Sequence, residues 1–158
     1  MSEKNEIDCS VESLRFYLNK LMENGNDEIF ATVCYILYNT IVYFPVREDN
    51  LLDIKNDFVN RDFLNNNYIF IDSYPLIYDL KCYQPLFVDY EEALNNMPKN
   101  SRLITARFYD ICNDYLLEDI RSEGVIIDPI KTQCFFGKEF IKAIKEVLEI
   151  ISKNDIKI

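Results

Sequence analysis

Residues 84–94 read Q-P-L-F-V-D-Y-E-E-A-L, residues 103–112 read L-I-T-A-R-F-Y-D-I-C, and residues 124–130 read G-V-I-I-D-P-I. The order alternates strand and helix. Pro85 to Val88 is apolar and short enough for a buried strand. Asp89 then stands at an N-cap position with Glu92 three residues on, the pattern of a capping box, so a helix through Asn95 is expected. Arg102 to Phe108 alternates as a strand does, and Phe108, Ile111, Cys112, Tyr115 and Leu116 recur at helical spacing after it. Val125 to Ile127 is a third strand, closed by Asp128-Pro129, two residues suited to a turn.

Working outward, Ser10 sits where an N-cap belongs, and Val11, Leu14, Leu18 and Leu21 follow at helical spacing to a stop at Gly25. Asn26 or Asp27 opens a second helix with Ile29, Phe30, Val33, Ile36 and Leu37 on one stripe, ending at Asn39-Thr40. Thr40 to Val46 is β-branched and aromatic, a strand whose Pro45 belongs at an end or on an edge. Residues 47–67 mix charge with Asn and read as a loop or insertion, with a short element near Phe58. Tyr68 to Asp72 reads as a strand, Ser73-Tyr74-Pro75 as a turn and Leu76 to Leu80 as a short return strand. A turn at Ser122-Glu123-Gly124 leads into the third strand of the opening motif. Cys134 to Phe136 is a short last strand, and Lys138 to Lys153 a long helix with Phe140, Ile141, Ile144, Val147, Leu148 and Ile151 inward.

The fold class is therefore α+β: one domain over 1–158, frayed at 1–9, with a mixed sheet of about five strands, two N-terminal helices and a long C-terminal helix. The chain has 158 residues, 49% of them hydrophobic, with three Gly. That suits one globular core. Eleven Phe and eleven Tyr, with no Trp, predict a core dominated by aromatic rings.

The motif order resembles the SseB family. Its signatures are a "P-hydrophobic-F-T-S-x-E-E" turn, matched at 85–92 with Val88 and Asp89 replacing Thr and Ser, and a "G-hydrophobic-hydrophobic-N-P" strand, matched at 124–129 with an added hydrophobic residue and Asp for Asn. The T-I-V-Y-F-P-V stretch at 40–46 is similar to that family's "L-Y-V-P-V" strand. The resemblance covers roughly Ile29 to Leu148 without 47–67. It implies an amino-terminal-type SseB-like domain without an established catalytic activity. It also implies that the second, C-terminal domain of longer members is missing here.

Composition narrows function further. The net charge of −10 opposes nucleic acid and anionic membrane surfaces, and suits a soluble protein or a basic protein partner. No histidine is present, which removes imidazole-based catalysis and the commonest metal ligand. Five cysteines at wide spacing, with no C-x-x-C and no basic-then-apolar leader, fit free thiols in a cytoplasmic protein better than a disulfide framework or a zinc site. Cys34 and Cys112 fall on apolar helix faces; Cys82 and Cys134, near strand ends, are expected to be more exposed. Ile29 to Val46 is uncharged over eighteen residues, but its period changes midway, as a helix followed by a strand would.

Two surfaces stand out as binding candidates. Asp110, Asp114 and Glu118 form a carboxylate stripe on one helix face, with Asp119 beside it. It suits a solvated face or a basic partner, and a divalent ion is a third use. Tyr74 and Tyr78, in a run with Tyr68, Phe70 and Tyr83, suit an exposed aromatic patch that docks a partner, a second copy of the chain included. No cofactor, metal or catalytic residue is expected. The reading is a non-catalytic protein-interaction module. A narrower alternative is an immunity or antagonist protein blocking a toxin or enzyme, and a third is an enzyme using carboxylates or a cysteine.

Overall fold

A computed structural model describes residues 7–47, 58–59, 76–78, 80–112 and 123–154. Helix α1 spans Val11–Asn24 and α2 spans Asp27–Tyr38. Each opens on the side chain that the sequence singles out: Ser10 accepts from the Ser13 amide at 3.2 Å, and Asn26 from the Ile29 amide at 2.8 Å. These caps satisfy donors that the first turn of a helix leaves without partners. Strand β1 (Ile41–Arg47) follows directly, so the uncharged run from Ile29 to Val46 is split between a helix and a strand. Among the described residues, no helix is long and apolar enough to cross a membrane.

The remaining elements are β2 (Phe58–Val59), β3 (Leu76–Tyr78), β4 (Lys81–Leu86), α3 (Tyr90–Asn96), β5 (Ser101–Arg107), α4 (Phe108–Ile111), β6 (Gly124–Ile127), β7 (Cys134–Gly137) and α5 (Lys138–Lys153). The architecture is α+β with mixed strand pairing. The strands divide between two sheets, ordered β1-β5-β2 and β3-β4-β6-β7. Within them β1–β5, β3–β4 and β6–β7 are antiparallel, while β2–β5 and β4–β6 are parallel. The two sheets meet where Tyr43 and Phe87 exchange backbone hydrogen bonds of 2.8 and 2.9 Å. Pro45 lies on β1, an edge strand of the first sheet, where its missing amide costs no ladder bond.

Strand β4 begins four residues before the expected Pro85. The reason is tertiary: Lys81 to Tyr83 pair with β3 in a hairpin, and Tyr83 to Leu86 pair with β6. Leu80, at φ 63°, makes the tight corner of that hairpin. The strand expected at Tyr68 to Asp72 and the turn at 73–75 lie outside the described residues.

Alternation places Val42, Phe44 and Val46 of β1 in the main core, with Ile104 and Ala106 of β5 and Val125 and Ile127 of β6. Helices α1, α2 and α5 cover this face through Leu14, Leu18, Val33, Leu37, Ile144 and Leu148. Each such side chain contributes about 1.5–3 kcal/mol relative to exposure. Tyr43 points to the opposite face, where Phe87, Ala93, Leu103 and Met97 make a second cluster beneath α3. The expectation of an aromatic core is corrected. Among the described residues the buried hydrophobics are mostly Leu, Ile and Val, with four Phe and no Tyr. A tyrosine hydroxyl needs a partner, so the described tyrosines sit part-buried or exposed at the rims.

Candidate functional site

Two places concentrate polar chemistry. The first is an ion-pair network. Arg15, on the second turn of α1, donates from Nε to Asp128 Oδ2 at 2.8 Å and from Nη2 to Asp128 Oδ1 at 3.1 Å and Glu92 Oε2 at 2.9 Å. Asp128 follows β6 in the left-handed region, at φ 54°, a conformation that Asp tolerates. Its Oδ2 also accepts from the amide and hydroxyl of Thr132. Lys131 approaches Glu92 Oε2 at 3.5 Å, and Glu92 Oε1 is buried with no hydrogen-bond partner among the described residues.

Burial opposes ionisation of Asp128. The Arg15 guanidinium and the Thr132 donors outweigh it and hold the carboxyl below the usual carboxylate range. Hydrogen bonding to Asp128, then its charge and those of Glu92, push Arg15 further up despite burial. These charges are occupied in joining α1 to the two strand-end motifs. The expected capping box is half right. Asp89 does cap, accepting from the Glu92 amide at 2.9 Å, but the Glu92 carboxylate reaches Arg15.

The second place is a cavity of about 280 Å³ between the start of α1 and the α2–β1 junction. Val11, Leu14, Ile41 and Val88 supply apolar walls, and Cys9, Ser10, Asn39, Thr40 and Tyr43 supply polar groups. The Thr40 hydroxyl is turned away, donating to the Ile36 carbonyl at 2.7 Å. Asp8 accepts from the amide and hydroxyl of the lining residue Ser10 at 3.0 and 2.9 Å. The Tyr43 ring meets Tyr90 edge-on, with centroids 5.5 Å apart. Burial, then the charge of Asp89, then Tyr90 raise the Tyr43 phenol above its ordinary value. Beside it, Tyr90 and Leu94, four residues apart on α3, are 49% and 39% exposed.

Three of the thiols are held in their protonated form. Burial pushes Cys34 and Cys134 up to about 12, and burial with the charge of Asp8 raises Cys9. Only a thiolate attacks efficiently, so these are poor nucleophiles at neutral pH. Cys134 corrects the expectation of exposure: on β7 it faces the core, and its neighbour Phe135 faces out.

Of the sequence-singled surfaces, Asp110 is part-exposed on α4. Asp114, Glu118 and Tyr74 lie outside the described residues, and Tyr78 belongs to β3 without its side chain being described. Their convergence is therefore not displayed. Among the described residues, no three or more Cys, Asp or Glu side chains group so as to hold a metal ion. Sequence reasoning missed the Arg15 network, whose partners lie 77 and 113 residues away, and the Tyr43–Tyr90 pair. No local signal joins these positions, although a lone Arg on the hydrophobic side of α1, between Leu14 and Leu18, was a hint.

No protein-family model, curated protein or solved structure matches this chain.

Proposed function

We propose that this chain is a non-catalytic protein-interaction module that docks a basic protein partner. The observation that carries the reading is the face formed by Tyr43, Tyr90 and Leu94. Tyr90 and Leu94 are exposed, Tyr43 is part-buried beside Tyr90, and the acids Asp89 and Glu91 stand on either side of Tyr90 in the chain. Tyrosine surrounded by acid is the chemistry of a docking surface, because the rings bury area while the charges steer and select a cationic partner. The raised thiols and the engagement of Arg15, Glu92 and Asp128 with one another support the same reading, since each removes a group from catalytic duty. Under this proposal the chain is an SseB-like domain, a relation that rests on motif order in the sequence. Blocking a toxin or enzyme is its narrower form.

The test is affinity capture from a lysate of the native source at low and high salt, with identification of the retained protein. A basic protein held one-to-one at low salt and released at high salt is expected. Recovery of nothing under either condition overturns the proposal.

A further inference from the structure

We infer that the cavity between the start of α1 and the head of β1 binds one small, uncharged, mainly hydrocarbon molecule, the size of a substituted benzene ring. The inference stands apart from the docking reading and asks nothing of a protein partner. Size argues first. The cavity holds about 280 Å³. A cavity of ~150 Å³ lined by apolar side chains stays dry and takes up benzene, whereas sites for drug-sized ligands run to ~300–1,000 Å³. The space here lies between the two. Its lining runs from exposed Asn39 to buried Leu14, Thr40 and Val88, so it reaches from solvent toward the core.

The polar groups of the lining are engaged within their own chain. Cys9 Sγ donates to the Ile7 carbonyl at 3.6 Å, and the Ser10 hydroxyl bonds both the Asp8 carboxylate and the Ser13 amide. The Asn39 carboxamide donates to the Tyr35 carbonyl at 3.2 Å, and the Thr40 hydroxyl to the Ile36 carbonyl. The backbone is committed too. The Leu14 amide bonds the Ser10 carbonyl, the Phe108 amide bonds the Thr40 carbonyl, and Tyr43 exchanges both of its groups with Phe87. A ligand rich in donors and acceptors would shed its water here and gain few bonds in return. The lining still offers the hydrocarbon of Val11, Leu14, Ile41 and Val88.

Charge of either sign is turned away. Among the described residues, no Asp, Glu, Lys or Arg lines the cavity. A cation would meet the positive end of α1, a helix of 14 residues. An anion would compete with Asp8, whose carboxylate already accepts from the Ser10 amide and hydroxyl at that end. The Cys9 thiol, raised by burial and by the charge of Asp8, stays neutral at pH 7.

Toluene titrated into the ¹⁵N-labelled full chain tests the inference, with benzoate and benzylammonium as rings of similar size that carry each charge. Toluene is expected to shift the amides of residues 9–11, 14, 39–43 and 88, with half-saturation at roughly millimolar concentration, as suits so small a ligand. Benzene, one methyl smaller, should bind about fourfold more weakly. Each ion should bind at least about tenfold more weakly than toluene. Val11→Phe puts a ring into the space and should abolish the toluene shifts in a chain whose spectrum remains that of the folded protein. Ile41→Phe does the same from β1 and serves if Val11→Phe does not fold. Toluene shifts at none of these amides, binding of benzoate or benzylammonium equal to that of toluene, or undiminished toluene binding by a folded filled variant overturns the inference. If neither variant folds, the charge series on the wild-type chain decides alone.

Discussion

Replacing Arg15 with Met tests whether the ion-pair network supports the fold. The Asp128 side chain is 2% exposed and Arg15 only 17%, so the substitution strands a carboxylate that water cannot reach. Breaking a buried pair in this way costs about 3–5 kcal/mol. Thr132 still donates to Asp128, and Glu92 keeps Lys131 at 3.5 Å, so the lower end applies, about 3 kcal/mol. With a urea slope of about 2 kcal/mol/M, the unfolding midpoint should fall by roughly 1.5 M. Asp128→Asn alone leaves Arg15 its bond to Glu92 and should cost about 2 kcal/mol. The double variant strands no Asp128 charge. Its loss should be about 3 kcal/mol rather than the ~5 of independent effects, a coupling near 2 kcal/mol. Losses that add to within about 0.5 kcal/mol would refute the assignment. Acid gives an orthogonal check. Because the folded carboxyl lies below its unfolded value of about 3.9, the unfolded chain binds more protons at low pH. The contribution of Asp128 is therefore complete above about pH 4 and fades as the pH falls through its folded value. The stability gap between wild type and Asp128→Asn should narrow below about pH 4, and one that stays constant there would contradict the pairing.

Three further outcomes follow from packing. Gly124 sits at φ 154°, and a β-carbon there would collide with the Phe136 carbonyl across β7, so Gly124→Ala should cost at least about 3 kcal/mol; a wild-type urea midpoint would refute this. Phe87 is 5% exposed beneath α3, so Phe87→Ala should cost about 3–5 kcal/mol, and an unmoved midpoint would refute its burial. Iodoacetamide at pH 8 should modify Cys9 and Cys82 in the native chain and spare Cys34, Cys112 and Cys134 until denaturant is added, as peptide mass mapping would reveal; rapid native labelling of Cys34 would contradict its burial.

Local codes were readable and long-range pairings were not. Ser10, Asn26 and Asp89 cap the helices they were expected to cap, because a cap is settled within three residues. The inward stripe of α5 emerges at Ile141, Ile144, Leu148 and Ile151 for the same reason of periodicity. Sheet order was invisible. Nothing near Tyr83 announces Gly124 as its neighbour, and nothing near Phe58 announces Thr105. Even the second half of the capping box failed on a distant competitor, since Arg15 offers Glu92 a charged partner where the local amide offers a neutral one. The Tyr43–Tyr90 pair escaped the sequence for the same reason. Clustering at 68–83 is a sequence fact, whereas the Tyr43–Tyr90 pair arises only where β1 bridges Phe87.

That bridge explains why one short helix serves two purposes. The turn from Phe87 to Glu92 is pinned to β1 on one side, and α3 leaves it with two acids aimed apart. Glu92 is part-buried against Arg15 and so ties α1 to the strand ends, while Asp89, at the cap, casts its charge on Tyr43. Three residues apart on a helix start, the two part-buried carboxylates are close in sequence but engage different groups. Neutralising Glu92 acts on a pair that is 17–18% exposed, and its effect belongs to folding. Neutralising Asp89 with Asn keeps the cap and removes a charge, and under the docking proposal its effect belongs to recognition. A chain in which Asp89→Asn lowered stability as much as Glu92→Gln would not have this division, and Asp89 would be part of the scaffold instead.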